Sequence, residues 1–173
     1  CEFGANREKP FVMTNSLALE YPQLMARYNR WMNEKIYAVC ATISDEERKT
    51  PRGAPFDSLH GLLNHLHLAD SMWLGRFGVI EFAPRPLSTQ LFDDFELMRT
   101  ARGELDELIE NYAQNLTEEK LRAPLRFVSV SNPVPRTLPL FVAVTHFFNH
   151  QTHHRGQITA LLEQIGVDFG VTD

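Results

Sequence analysis

Seven histidines occur in this chain, and all fall in two short windows. His60, His65 and His67 sit in HGLLNHLH, while His146, His150, His153 and His154 sit in THFFNHQTHHRGQ. Residues four apart on a helix lie on one face, one turn above the other, with Cβ atoms about 6 Å apart. His146, His150 and His154 have that spacing, and two imidazoles so placed can converge on one metal ion at about 2.0–2.1 Å. Phe147, Phe148 and Ile158 around them turn part of this face inward. Neutral imidazoles are costly to bury without partners, and a cation that accepts their lone pairs removes that cost. A hydrogen-bonded network with Asn149, Gln151 and Gln157 is the alternative, and it carries no chemistry.

The first window can supply a third ligand. His65 shares a helical sector with Leu62, Ala69 and Met72, at the border of a buried stripe, whereas His67 lies about 200° round and points elsewhere. His60 sits at the edge of the same region. The preferred set is His65, His150 and His154, with His146 as a reserve ligand or a group supporting one, and His153 as a donor or an exposed residue. Three neutral ligands leave an ion its full charge and open positions, as in catalytic sites. Such an ion lowers a bound water's pKa to about 7 or holds a thiol as thiolate. Two nucleophiles follow, a thiol for transfer and a water for hydrolysis. Imidazole suits zinc, nickel, copper and iron alike; zinc or nickel is expected first, with iron or manganese as alternatives. Asp70 could orient a ring N–H or simply form an ion pair. Arg155 could hold a substrate carboxylate bidentately or bridge helices. Trp73 and Phe148 read as core.

The elements that must position these groups are helices. Leu17, Tyr21, Leu24, Tyr28, Trp31, Ile36 and Val39 follow the amphipathic spacing, so a first helix runs from Leu17 to about Thr42. Ser44-Asp45-Glu46-Glu47 has the capping-box form and predicts one short helical turn. TPRGAP is a loop. A second long helix is expected over 56–77 and a third from Ser88 or Thr89 through Leu116. Residues 121–138 suggest a short extended piece and a turn, with a small hairpin before the last helix. Pro139 is placed as the first residue of that helix, which stops at Gly166. The fold expected is all-α, a four-helix bundle with long inter-helix connections.

Bulk properties set limits. A chain of 173 residues, 43% hydrophobic and 23% charged, is one domain by size and is not disordered by composition. Seventeen basic against 22 acidic residues give a net charge of -5, with no basic stripe, so nucleic acid is not an expected partner. No apolar run approaches the roughly 18 residues that span a bilayer. Two cysteines, with no CxxC, form no disulfide framework, and a reducing cytoplasm is expected. Residues 1–12 read as an added tag or a disordered extension, and 13–173 as the domain. No Walker-type, GxGxxG or GxSxG motif is present.

The stretches NHLHLADSMWLGRF and FNHQTHHRGQITALLEQIG together resemble the DinB-like family of metal-binding four-helix proteins. The first matches the family's histidine, aspartate and tryptophan at His65, Asp70 and Trp73. The second matches its closing helix, where a histidine is followed four residues later by His-Arg-Gly-Gln. The likeness runs from about Leu17 to Gly166. It implies a bundle, often a homodimer, with one divalent metal on His65, His150 and His154. It also implies a small-molecule substrate, and in characterised members a low-molecular-weight thiol; some act as thiol S-transferases or as a thiol-dependent isomerase. Metal-dependent hydrolysis and a non-catalytic, stress-associated binding role are the other readings.

Overall fold

The structure, a computed structural model, describes residues 16–130 and 132–172. The expectation for residues 1–12 therefore lies outside the described residues. Eight elements follow in order: α1 (Leu17–Ala41), α2 (Asp45–Lys49), α3 (Leu59–Arg76), α4 (Phe95–Gln114), α5 (Glu118–Arg122), β1 (Pro124–Val128), β2 (Pro135–Pro139) and α6 (Leu140–Gln164). The four long helices form the bundle. Helices α1 and α3 each pack against both α4 and α6, so long helices that follow one another across the two long connections, α1 to α3 and α4 to α6, sit on diagonals.

Local chemistry explains most boundaries. The Ser44 hydroxyl accepts from the Glu47 N–H, as its capping-box sequence predicts. Helix α3 begins at Leu59 rather than Phe56, because Phe56 and Asp57 hold φ of 61° and 65°. Ser58 is the cap, accepting from the Gly61 N–H at 3.1 Å. Helix α4 begins at Phe95, well after the expected Ser88 or Thr89. The Asn64 amide holds the intervening chain in a non-helical path: its Oδ1 accepts from Leu91 and Phe92 N–H, each at 2.9 Å. Asp94 then caps the helix by accepting from Leu97 N–H at 2.8 Å. Helix α5 was not expected; Thr117 caps it. The hairpin is present, antiparallel, with Phe127 opposite Arg136. Pro139 ends β2 and precedes α6 instead of opening it, with extended ψ of 140°. Gly166, at φ +71°, terminates the last helix as expected.

Helix α3 is buried from Leu59 to Leu74, so its polar side chains need internal partners. The His60 Nε2–H donates to the Phe92 carbonyl at 2.9 Å, and Ser71 Oγ donates to the His67 carbonyl at 2.8 Å. Two apolar clusters flank the middle of the bundle. One gathers Met32, Ile36, Leu62, Met98 and Ile158; the other gathers Ala26, Leu74, Ile109, Val144 and Phe147. Between them along the helices lies a polar layer of Asn29, Asn33, Asp70, Arg102, Asp106 and Arg155, all buried. No helix among the described residues is long and apolar enough to cross a membrane.

Gly61 is required by a close approach. A Cβ at this position would overlap the Phe56 carbonyl oxygen. Gly61→Ala is expected to displace the 54–58 loop and to destabilise the fold by about 1–3 kcal/mol, the usual cost of overpacking. A thermal or urea midpoint equal to that of the parent chain would show that the loop yields freely.

Candidate metal centre

Helix α6 delivers His150 and His154 from successive turns, and α3 delivers His65 from across the bundle. One ring nitrogen from each lies within 4.8 Å of the others. The Nε2 atoms of His150 and His154 are 3.1 Å apart. Donors bound tetrahedrally at about 2.0–2.1 Å are separated by roughly 3.4 Å, so the His150–His154 pair is already close enough and only the His65 nitrogen has to approach to share an ion.

The tautomers are set by the partners of the remaining nitrogens. A backbone carbonyl can only accept, so His65 Nδ1 carries the hydrogen that it donates to Leu87 O at 3.2 Å. His154 Nδ1–H donates to Gln157 Oε1 at 2.8 Å. The same amide donates from Nε2 to His153 Nε2 at 3.2 Å, which fixes which end of Gln157 faces His154. Both His65 and His154 thus present Nε2 as a lone pair, the orientation that outer hydrogen bonds give to metal-binding histidines. Phe56 covers His65, ring on ring, with centroids 3.7 Å apart. Its backbone sits in the left-handed region, a strained conformation of the kind concentrated at functional sites.

Electrostatics agree with neutral ligands. Burial pulls His65 down to about 4, and burial with the neighbouring imidazoles pulls His150 down to about 3. His154 is lowered by burial, opposed by its bond to Gln157. At neutral pH all three rings are uncharged and can donate lone pairs.

The other histidines lie elsewhere. His67 is buried edge-on to Phe92, with ring centroids 4.9 Å apart, and His60 bonds to the Phe92 carbonyl. His153 is exposed. His146 is on the same helix face as the cluster, 6.1 Å from His150 ring to ring, and packs against Trp73 at 5.2 Å. Asp70 and Arg155 belong to the polar layer. Asp70 Oδ2 accepts from Arg102 at 2.6 Å, and Arg155 donates to Asn29 Oδ1. Among the described residues neither makes a hydrogen bond to the three rings. Sequence reasoning missed Phe56, the Leu87 carbonyl, Arg76 and Arg136. None carries a motif, and only Gly61 hints that the preceding loop must come close.

His67 gives the metal-free protein a defined acid response. Burial, helped by the Arg102 charge, lowers it from 6.5 to about 3, so the unfolded chain takes up this proton first as pH falls. Stability is therefore complete above about pH 6.5 and declines below it, by up to about 1.4 kcal/mol per pH unit for one such group. Urea midpoints of the metal-free protein at pH 7 and pH 5 would check this, with His67→Leu reducing the difference. Equal midpoints for the parent at the two values would contradict it.

Beside the cluster a cavity of about 390 Å³ opens between α3, α6 and the hairpin, with His146 and His150 in its wall. The fold and this centre define an all-α bundle that gathers three neutral imidazoles at the edge of a small-molecule cavity. The DinB family profile matches residues 13–173, and the chain belongs to that family. Protein DinB of Bacillus subtilis (strain 168) is 30% identical over 150 residues, covering 84% of this chain and 87% of that protein. Among solved structures, YfiT from Bacillus subtilis aligns with a TM-score of 0.67 at 16% identity, over 95% of this chain and 97% of its own. That protein is described as a probable metal-dependent hydrolase with an unusual four-helix bundle topology. A DinB-like protein from Bacillus cereus ATCC 10987 aligns at 0.61 and 20% identity, over 82% and 90%. At these identities both structures speak to the fold.

Proposed function

We propose that this chain is a divalent-metal-dependent enzyme that activates a small thiol for transfer to an electrophile, with His65, His150 and His154 as the metal ligands. The observation that carries the reading is the convergence of three neutral ring nitrogens, two with fixed tautomers, beside a cavity able to admit a small molecule. The ion expected first is zinc or nickel, with iron or manganese as alternatives, since imidazole by itself suits several divalent metals. A divalent ion held there supplies a Lewis acid that favours thiolate over thiol, or hydroxide over water, at neutral pH.

The chain's own groups do the rest. Phe56 and the buried wall of α3 keep bulk water from His65. His146 is kept below its ordinary value by burial and by Arg76 and Arg136, so at pH 7 it is neutral and able to accept the proton that the thiol gives up. The sulfur lone pair then forms the S–C bond while the leaving group departs with its electron pair. Water in place of the thiol gives hydrolysis, the second reading, favoured by the description of the structural neighbour YfiT.

The test is conjugation of a small thiol with 1-chloro-2,4-dinitrobenzene, in which chloride leaves. Turnover is expected in metal-loaded protein and not in metal-free protein. Equal rates in the two forms would end the thiol-transfer reading.

A further inference from the structure

The cavity beside the three histidines has a charge pattern opposite to that of the molecule. The chain carries five more acidic than basic residues, yet the charged residues lining this cavity are Arg76 and Arg136, with no Asp or Glu. Among the described residues, neither guanidinium makes an ion pair or a side-chain hydrogen bond. Arg76 is half-buried and lies against a pair of touching rings, its Cζ 4.5 Å from the centroid of Trp73 and 4.9 Å from that of Phe127. Cation–π contact of this kind restrains the guanidinium and leaves its N–H groups free to donate. Arg136 stands directly across the hairpin from Phe127, so the strand register places the second cation on the same wall. Burial lowers Arg76 below its ordinary value, the mark of a positive charge without a counter-ion.

Resting on the reading of His65, His150 and His154 as the reacting centre, we propose that this cavity binds a small organic carboxylate. Its carboxylate is held by Arg76 and Arg136, its apolar body lies along Trp73 and Phe127, and its reacting end faces His150. Two features favour this class. A planar guanidinium edge matches the two oxygens of a carboxylate. A cavity of about 390 Å³ with aromatic and aliphatic walls suits a small organic body rather than a large polyanion. The arginines thus select the substrate and point it, while the histidines act at its other end.

The probes are phenylacetate and its neutral isostere phenylacetamide, titrated calorimetrically into metal-loaded protein. Phenylacetate is expected to bind about ten- to hundredfold more tightly, the contribution of hydrogen bonds to a charged group. In Arg76→Gln/Arg136→Gln the preference should collapse towards unity with metal content unchanged. Arg136→Gln alone, at an exposed hairpin position, should remove part of it without touching the fold. A preference unaltered in the double variant would overturn the proposal. So would a preference that disappears on metal removal but survives loss of both arginines, since the carboxylate would then sit on the ion and the metal reading would stand. A preference that depends on the arginines in a protein that takes up no metal would uphold the anion site and sink the metal reading instead.

Discussion

His150→Ala is expected to lower affinity for a divalent ion by more than about a hundredfold, since losing even a group that only hydrogen-bonds a ligand costs about 10–100-fold. His150 supplies the nitrogen nearest to a second donor, 3.1 Å from His154 Nε2, and its removal leaves two ligands from different helices. Gln157→Ala touches no ion, yet it frees His154 Nδ1 and with it the tautomer that aims Nε2 at the centre. Its expected effect is the smaller one, about 10–100-fold. Glu163→Ala, at an exposed position of α6 outside the cluster, serves as the control and should change affinity little. Metal per chain after dialysis, and competition with a chromogenic chelator, read all three. Full metal content in His150→Ala would mean that the ion, if bound, sits elsewhere.

The second large effect is on stability. Arg102 donates to Asp70 Oδ2 at 2.6 Å and to Asp106 Oδ1 at 2.8 Å, and all three side chains are almost wholly shielded from water. Asp106 also accepts from Asn29 at 3.1 Å and Asn33 at 2.9 Å, tying α1 to α4. Burial pushes the Asp70 carboxyl above its ordinary range, and the Arg102 charge opposes that. Arg102→Met strands two buried carboxylates and should cost about 3–5 kcal/mol. That is a large share of the roughly 5–15 kcal/mol that holds a domain together. Replacing Arg102, Asp70 and Asp106 together by Met, Leu and Leu should recover only part of the loss, because both stranded carboxylates are gone but the buried Arg155 then lacks the two negative charges that favour its own. Urea unfolding of the single and triple variants decides it. A single variant as stable as the parent would show that water reaches the layer.

This layer also explains what Asp70 and Arg155 do. Both lie next to histidine-rich segments, and sequence proximity made them candidates for assisting a ligand or a substrate. In the fold their side chains turn to the middle of the bundle, where Arg102 and Asn29 meet them. A charge buried among four helices needs an opposite charge more than it needs a nearby imidazole. Arg102 itself sits in α4, outside every motif of the sequence.

What the chain determined locally could be read from it. Apolar spacing placed the four long helices, the hairpin segment and the stop at Gly166, because helical period and left-handed glycine are properties of a few neighbouring residues. The same period put His150 and His154 on one face. The helical sector shared with Leu62, Ala69 and Met72 singled out His65 as the third member, the DinB-like motifs agreed, and the structure brings its ring nitrogen to the other two. Packing decided the remainder. Helix α4 starts late because Asn64, on another helix, captures the N–H groups of Leu91 and Phe92. The tautomer of His65 depends on a carbonyl 22 residues away, and the two arginines share a wall only because a hairpin folds onto α3. Such pairings depend on which distant segments meet, and no local period encodes that.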